Sequence, residues 1–333
     1  MRTGQTIDTR ATRLRSVGVC AGAGGLALGL EQAGFDPVLL LDNRPVACET
    51  LRANRPAWHV LDLDLREFDP VEHQQTYDVD LLAAGLPRVK ATASVHRSER
   101  DDELEVLKAA IMLVHGVRPR ALLIENVPDL VTKPTYGPIR TYITEELVHL
   151  GYALRWFVLN AADFGVAQDR KQGVLVAFRD GRLGSFAPPE PSVTRHRTVG
   201  EALGASMGAR GWAGAAGWAA QADRPAPTLV GGSWNRGGPD LGPTGSKRAW
   251  ARMGVDGATV ADEVPGPEFD WDPARGRPGM MPLTVRQAAT LQGFPPEWEF
   301  SGGKTVRYRQ VGHATPPPVG RALGEAIGAA LGA

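Results

Sequence analysis

The sequence predicts an α/β fold: a doubly wound, mostly parallel sheet with a small irregular lobe attached. Two patterns support this prediction. Through about residue 180, short apolar segments alternate with amphipathic segments of helical length. From about residue 179 to residue 282 the chain is instead rich in Gly, Pro, Ala and Trp, with little periodicity. We therefore expect a flexible N-terminus at 1–14, an α/β domain formed by 15–180 and 283–333, and a small lobe at 181–282.

The elements of the α/β domain follow from these patterns in chain order. Apolar runs bounded by turn residues predict strands at 15–20, 37–41, 79–84, 121–124, 153–160 and 173–178. The amphipathic segments between them predict helices at 26–33, 45–54, 103–115 and 141–150. A helical pattern resumes at 283–289, and an Ala-rich helix is expected at 319–331. The sequence contains no internal repeat.

The lobe has a different character. Its entry at 188–191, PPEP, is typical of a linker. The segment that follows carries five tryptophans, Trp212, Trp218, Trp234, Trp250 and Trp271. Such large aromatic side chains demand burial or a partner. We therefore expect a folded lobe of irregular structure.

Composition narrows the classes of protein. Hydrophobic residues make up 43% and charged residues 22% of the 333 positions, as in ordinary globular proteins. The 37 basic and 37 acidic side chains balance, so a DNA-binding surface must come from local clustering of cations. Two cysteines, Cys20 and Cys48, are too few for a disulfide scaffold or a structural zinc site, and no metal site is expected. With no apolar run of membrane-spanning length and no signal pattern, the expectation is a cytoplasmic protein without a membrane partner.

A glycine-rich turn gives the first indication of chemistry. Residues 20–25, CAGAGG, join the first predicted strand to the first helix, where glycines let backbone approach a ligand and the helix offers free N–H groups. Asp42 follows about 20 residues later at the end of the next strand, the usual place for an acceptor of ribose hydroxyls. Asp64 ends the segment LDLD and is placed to accept from an adenine amino group. The three features together predict an adenosine-containing cofactor.

Several further segments occur in an order that is specific to one family. They are VCAGAGGL at 19–26 with GLEQAGF at 29–35, IENVP at 124–128, LNAADFGV at 159–166 with QDR at 168–170, LQGFP at 291–295, and QVGHATPPP at 310–318. In sequence and in order these segments resemble the motifs of the DNA cytosine-5 methyltransferases. The resemblance runs from about residue 15 to the C-terminus and leaves only the lobe unmatched, the part where target recognition varies.

The resemblance implies a Rossmann-like methyltransferase fold that binds S-adenosylmethionine and releases S-adenosylhomocysteine. It also implies double-stranded DNA as partner, with a base flipped into a pocket. In the family a cysteine thiolate adds to cytosine C6, which makes C5 nucleophilic enough to take the methyl group. The catalytic residues implied here are Glu125 and Arg170, with Arg88 in the nucleophile position. The implied cofactor residues are Cys20, Ala21, Gly22, Gly24, Gly25, Leu26, Asp42, Asn43, Asp64, Leu65, Gly85, His313 and Ala314. The implied DNA-binding residues are Lys90, Arg97, Gln168, Arg170, Thr228 and Gly231.

Three positions depart from the family pattern. Arg88, in GLPRVK at 85–90, stands where the nucleophilic cysteine is expected, and a guanidinium has no available lone pair at neutral pH. Gln172 stands where the second arginine of the Gln-x-Arg-x-Arg motif is expected. Cys20 replaces an aromatic residue that lies against the adenine in the family. Cys20 is expected to face the cofactor side and Cys48 to be a packed helix residue, so neither replaces the nucleophile.

These departures leave three hypotheses open. The first is a family protein that binds the cofactor and acts on DNA with a non-standard centre, so that ordinary cysteine-dependent C5 methylation is not expected. The second is an inactive pseudomethyltransferase that binds DNA or a partner protein. The third is a methyltransferase for a different acceptor, such as an exocyclic amine, a nucleotide or RNA. The sequence leaves the choice between monomer and dimer open.

Overall fold

The computed structural model describes residues 13–89, 102–232 and 237–333. Within these ranges seven strands form one sheet in the order β3-β2-β1-β4-β5-β8-β6. The strands are β1 Leu14–Val19, β2 Phe35–Asp42, β3 Val60–Asp62, β4 Leu81–Gly85, β5 Ala121–Asn126, β6 Ala153–Asn160 and β8 Lys171–Phe178. Neighbours from β3 to β5 pair in parallel, whereas β8 pairs antiparallel with both β5 and β6. The predicted mostly parallel α/β sheet is confirmed.

Helices cover both faces of the sheet. In chain order they are α1 Gly25–Gln32, α2 Pro45–Asn54, α3 Asp102–Val117, α4 Pro128–Thr132, α5 Gly137–His149, α6 Val199–Met207, α7 Ala215–Gln221, α8 Thr244–Arg252, α9 Val285–Leu291, α10 Lys304–His313 and α11 Pro317–Leu331. α3 and α5 bury Leu107, Ile111 and Ile143 against one face. α1 and α11 bury Leu30 and Leu323 against the other. The parallel strands are apolar on both faces for this reason.

The lobe contains more regular structure than its sequence suggests. α6, α7 and α8 lie in it, and a two-residue strand, β9 Ala226–Pro227, pairs with β7 Gln168–Asp169. These helices are only 7 to 9 residues long, too short to give a clear helical periodicity in the sequence. The expected burial is confirmed for Trp212, Trp218 and Trp250. Trp271 packs against the same cluster while partly exposed, and Trp234 lies outside the described residues.

The lobe shares its apolar core with the α/β domain. One cluster joins Trp218 and Trp250 of the lobe to Leu28 of α1 and Leu51 of α2. Near the N-terminus, β1 begins at Leu14, and the guanidinium of Arg13 donates to the backbone oxygens of Glu31 and Phe35. No helix in the described ranges is long and apolar enough to cross a lipid bilayer.

Candidate functional site

A cavity of about 980 Å³ opens at the carboxyl ends of the parallel strands. β1 and β4 are parallel neighbours in the sheet although β2 and β3 lie between them in sequence, so the order of the strands reverses at this point. Open α/β sheets bind ligands in the crevice at such a switch point. All the predicted cofactor residues except Gly24 line the cavity, as do Glu125, Arg170 and Arg88. The strand topology therefore brings the predicted cofactor residues and the predicted catalytic residues together in one cavity.

The turn after β1 forms one wall of the cavity. Its backbone is closed by hydrogen bonds from Ala21 N to Leu41 O (3.0 Å) and from Gly24 N to Ala21 O (3.0 Å). Gly22 borders the cavity, and a Cβ there would meet no atom within 4 Å. At Gly24, by contrast, a Cβ would lie 2.9 Å from the ring of Trp298. The absence of a side chain at Gly22 thus leaves room for a ligand, whereas at Gly24 it allows the ring of Trp298 to pack against the backbone.

Two carboxylates stand behind this turn. Asp42 accepts from Gly22 N at 2.8 Å and from Arg44 N at 2.9 Å, which fixes its orientation. Burial raises the pKa of Asp42, and these two hydrogen bonds oppose that rise. The Arg66 guanidinium, 2.7 Å from Asp64, holds the pKa of that carboxyl well below its ordinary value. Asn43 Nδ2 donates to the same carboxylate at 3.2 Å. Both acids line the cavity in positions set by their neighbours.

Neither thiol of the chain is suited to nucleophilic attack. Burial, followed by the negative charges of Asp42 and Asp64, raises the pKa of Cys20 to about 12. Cys20 therefore stays protonated at neutral pH, and the charges that act on it belong to the cofactor end of the cavity. Cys48, in α2, donates to Asp42 O and Leu61 O, both at 3.4 Å, and burial raises its pKa to about 11. The expectation that Cys20 faces the cofactor side and that Cys48 is a packed helix residue agrees with this geometry.

The segment after β4 is fixed to the rest of the domain. Asn126 Nδ2 donates to Pro87 O at 3.0 Å, and Asn126 Oδ1 accepts from Val89 N at 3.3 Å. Tyr136 Oη donates to Val89 O at 3.1 Å. Leu86 and Val89 are buried, while the side chain of Arg88 between them is exposed and lines the cavity. Arg88, for which the resemblance implies the nucleophile position, is thus flanked by residues that are held in place.

Glu125 and Arg170 form the inner part of the cavity. Glu125 is the penultimate residue of β5, and Thr315 Oγ1, just before α11, donates to its Oε2 at 2.9 Å. Arg170 Nη1 donates to Leu229 O (2.8 Å) and to Gly312 O (3.2 Å). Burial, and then the charge of Arg88, lowers the pKa of Arg170 to about 10, so its guanidinium remains charged at neutral pH. Arg170 thereby ties the lobe segment near residue 229 to the end of α10.

The predicted DNA-binding residues fall into three groups. Thr228 lines the cavity, and its Oγ1 donates to Asp169 O at 2.7 Å. Gln168 is buried away from the cavity lining, where it accepts from Leu229 N and donates to Gln292 Oε1, each at 2.7 Å. Gly231 also lies outside the lining. Lys90 and Arg97 lie outside the described residues.

Gly231 allows the lobe to approach α10 closely. A Cβ at Gly231 would lie 2.2 Å from the His313 ring, so the position admits no larger residue without a shift. The His313 ring lies 3.0 Å from Gly232 O through its Nε2. Burial by surrounding protein atoms, then the charge of Arg88, lowers the pKa of His313 to about 4, which leaves the ring neutral at pH 7. Gln168 and Gly231 therefore hold the segment that carries Thr228 against the cavity.

Several cavity residues were not predicted from the sequence, and three of them show why. Thr315 lies within the HATPPP segment and was recognisable as a motif residue, although its bond to Glu125 was not. Arg66 follows Asp64 by two residues, a spacing that indicates local pairing. Val106, on α3, lines the cavity but belongs to an ordinary amphipathic pattern. Only the fold brings Val106 to the site.

The donor set fits S-adenosylmethionine, the cofactor that the sequence resemblance implies. Asp42 and Asp64 present carboxylates to the cavity at the ends of adjacent strands, where ribose hydroxyls and an adenine amino group need acceptors. Gly22 leaves open space beside them. The cavity is large enough for a drug-sized ligand with room remaining toward Glu125. When bound, S-adenosylmethionine supplies an electrophilic methyl group.

Comparisons with known proteins agree with this arrangement. The chain matches the family described as C-5 cytosine-specific DNA methylase over residues 14–235 and 241–329. It is 43% identical to type II methyltransferase M.NaeI of Lentzea aerocolonigenes, with 96% of this chain and 75% of that protein covered. It is 40% identical to type II methyltransferase M.NgoMIV of Neisseria gonorrhoeae, with 95% of this chain and 97% of that protein covered.

Solved structures share the fold at low sequence identity. The Dnmt2 methyltransferase of S. pombe superimposes with a TM-score of 0.63 at 18% identity, covering 96% of this chain and 99% of that one. A putative DNA modification methyltransferase encoded within an E. coli prophage gives 0.64 at 17% identity, covering 96% of this chain and all of that one. The chain therefore belongs to the C-5 cytosine-specific DNA methylase family, whose cofactor is S-adenosylmethionine.

Proposed function

We propose that this chain binds S-adenosylmethionine and takes a flipped base of double-stranded DNA into the inner part of the cavity, without forming a cysteine adduct on cytosine. One observation carries the proposal: Asn126 holds residues 87 and 89, and Arg88 between them, the residue that the resemblance aligns with the nucleophile, lines the cavity. Both thiols of the chain are protonated, and Cys20 lies among the cofactor residues. Ordinary C5 methylation requires a thiolate at that point.

The relatives support DNA as the partner. The matching family is described as a DNA methylase, and M.NaeI and M.NgoMIV are named type II methyltransferases. In this chain we assign residues 15–180 and 283–333 to cofactor and base binding, and 181–282 to target recognition. The bonds from Arg170 to Leu229 O and Gly312 O support this assignment, because they join the target-recognition part to the cofactor-binding part at the cavity.

Each inner residue has a defined task in this proposal. Glu125 accepts a hydrogen bond from an amino group of the base, and Thr315 fixes the carboxylate for that contact. Arg170, anchored on two carbonyls, supports the cavity wall. Arg88 donates from its guanidinium to an oxygen of the base or of the DNA backbone. Asp42 and Asp64 hold the adenosine part of the cofactor.

Transfer to an exocyclic amine receives less support. An amine needs no covalent adduct, but the flipped base must be held firmly for its nitrogen to attack. Among the described residues that line the cavity, the imidazole of His313 is the only aromatic ring. A stacking platform for the base is therefore not provided by this part of the chain, and binding without C5 methylation is the function that the geometry favours.

Covalent trapping tests the proposal. The probe is a random-sequence duplex pool synthesised with 5-fluorocytosine in place of cytosine, incubated with protein and S-adenosylmethionine and resolved on a denaturing gel. We expect no covalent band for the natural chain. Arg88→Cys is expected to give one, because the adjacent Arg170 cation favours a thiolate. Arg88→Ser is the matched control, because serine is similar in size to cysteine but has no thiol, and it should give no covalent band.

Binding is measured separately. Calorimetry with S-adenosylhomocysteine and a filter assay with unmodified DNA should both show binding by the natural chain and by Arg88→Ser. A covalent band from the natural chain, or 5-methylcytosine in the nucleosides of DNA treated with it, would refute the non-covalent proposal. Failure to bind either the cofactor product or DNA would refute the binding function.

A further inference from the structure

We propose that Arg66 determines how strongly this chain recognises the amino group of the cofactor's adenine, because its guanidinium occupies the carboxylate of Asp64 and must leave it before the amino group can bind. The inference rests on the proposed function, in which Asp64 holds the adenosine part of the cofactor. It goes further by naming a residue that opposes this contact and thereby sets its selectivity.

The carboxylate of Asp64 is fully engaged by protein donors. Its Oδ1 accepts from the backbone N and from the Nε of Arg66, both at 2.9 Å. Its Oδ2 accepts from Arg66 Nη2 at 2.7 Å and from Asn43 Nδ2 at 3.2 Å. A carboxylate has about four lone-pair sites, two on each oxygen. An adenine amino group therefore finds no free acceptor site on Asp64 while the side chain of Arg66 keeps this position.

The guanidinium of Arg66 is the donor that is free to leave. The backbone N–H of Arg66 is fixed, because its bond to Asp64 caps the 3-10 helix Leu65–Glu67. The side chain of Arg66, by contrast, is 45% exposed, and ion pairs that lie partly in solvent are weak. When the guanidinium moves away, one lone-pair site becomes free on each oxygen of Asp64.

A second carboxylate lies close to the guanidinium. Asp102, the first residue of α3, is exposed, and its Oδ1 lies 3.7 Å from Arg66 Nη1. Arg66, Asp64 and Asp102 all line the cavity. The guanidinium can therefore exchange the carboxylate of Asp64 for that of Asp102 by a rotation of its side chain and remain paired.

This exchange makes adenine recognition weaker than Asp64 alone would give. An amino group that reaches the carboxylate gains a charge-assisted hydrogen bond, but the two bonds from the Arg66 side chain are lost in the same step. A ligand without the amino group leaves Arg66 in place. We therefore expect the natural chain to discriminate poorly between S-adenosylhomocysteine and its deamino analogue, in which hydrogen replaces the 6-amino group of the purine.

The experiment measures the Kd of both ligands by calorimetry, and the readout is the Kd of the deamino analogue divided by that of S-adenosylhomocysteine. The variants are Arg66→Ala, Asp102→Asn and a double variant that combines Arg66→Ala with Asp64→Ser, in which the serine hydroxyl still caps the 3-10 helix. Arg195→Ala is the matched control, because Arg195 also makes two bonds to one carboxylate, that of Glu201, but lies outside the cavity lining.

We expect Arg66→Ala to bind S-adenosylhomocysteine about three- to tenfold more tightly and the deamino analogue with unchanged affinity, so that the Kd ratio rises by the same factor. Asp102→Asn should bind S-adenosylhomocysteine about two- to threefold more weakly, because the displaced guanidinium loses its second carboxylate. The affinity of Asp102→Asn for the deamino analogue should stay unchanged. Arg195→Ala should match the natural chain for both ligands.

An unchanged or lower Kd ratio in Arg66→Ala would overturn the inference, and so would an Asp102→Asn variant that binds S-adenosylhomocysteine as tightly as the natural chain. The double variant separates this failure from a failure of the proposed function. If it binds the two ligands equally while Arg66→Ala alone has no effect, the inference is wrong and the role of Asp64 stands. If it still prefers S-adenosylhomocysteine as strongly as Arg66→Ala does, the amino group binds elsewhere and the role proposed for Asp64 is wrong.

Discussion

At the residue scale, Arg88 adds a positive charge to the inner cavity. Its positive charge lowers the pKa of both Arg170 and His313, in each case after the effect of burial. His313 is consequently neutral at pH 7, while Arg88 and Arg170 place two guanidinium groups in the inner part of the cavity with Glu125. The charge of this inner part favours oxygen acceptors of DNA over cationic groups.

The thiol of Cys20 provides a pH-dependent test at this scale. Burial and the charges of Asp42 and Asp64 raise its pKa to about 12, which disfavours the thiolate. At pH 8 only about one molecule in ten thousand then carries the thiolate. We expect iodoacetamide to alkylate Cys20 at least about a thousandfold more slowly than glutathione at pH 8, with a rate that rises with pH. Peptide mass spectrometry follows the modification.

Saturating S-adenosylhomocysteine should slow the labelling of Cys20 further, since the residue lines the cavity. Cys20→Ala serves as the control for the assignment of the labelled peptide. Alkylation of Cys20 as fast as that of glutathione would show that its thiolate is accessible, and Cys20 would then be a candidate nucleophile.

At the element scale, prediction succeeded where the pattern is local. The predicted bounds of α2 at 45–54 and β6 at 153–160 agree with the structure, because each element is set by its own residues. α5 begins at Gly137, four residues before its predicted start at 141, because Pro138 is tolerated in the first helical turn. α10 was missed since its sequence, KTVRYRQVGH, is largely polar, although its Tyr308 and Val311 are buried. Tertiary packing decides such elements.

The candidate site divides in the same way. The acids and glycines near Asp42 follow from the strand and turn pattern, and Glu125 and Arg170 from the resemblance. The bond from Thr315 to Glu125, and the lack of a partner for the Gln172 amide among the described residues, depend on which distant segments meet, 190 residues apart in the first case. No local pattern contains that information.

The attachment of residues 87–89 is an element-level prediction. Asn126 makes three hydrogen bonds, to Pro87 O, Val89 N and Val127 N. Asn126→Ala removes these bonds in a buried place, so we expect a loss of about 1–3 kcal/mol in the free energy of unfolding, measured with urea. Asn43→Ala, an exposed asparagine with one bond to Asp64, is the matched control and should lose less than about 0.5 kcal/mol. Equal losses would mean that Asn126 does not hold this segment.

At the scale of the whole molecule, one core spans the two parts of the chain. Trp218 of the lobe is completely buried, donates from Nε1 to Met253 O at 2.9 Å, and belongs to the same apolar cluster as Leu28 and Leu51 of the α/β domain. Arg170 and Gln168 add polar ties between the parts next to the cavity. The lobe is therefore expected to unfold together with the domain, and cofactor binding is expected to stabilise both.

Urea unfolding followed by two probes checks this coupling. Five of the eight tryptophans lie at 181–282, so fluorescence reports mainly on the lobe, whereas far-UV circular dichroism reports on the whole fold. We expect coincident transitions.

Trp218→Ala should lower the free energy of unfolding by about 3–5 kcal/mol through the cavity that it leaves, and should shift both probes together. S-adenosylhomocysteine at a hundred times its Kd should restore about 2.7 kcal/mol in both the natural chain and the variant. Val71→Ala, at a residue 65% exposed, is the control and should change stability by less than about 0.5 kcal/mol. Separate transitions, with the fluorescence midpoint lowered and the dichroism midpoint unchanged in Trp218→Ala, would show that the lobe folds independently, because a shared core cannot lose a buried tryptophan on one side only.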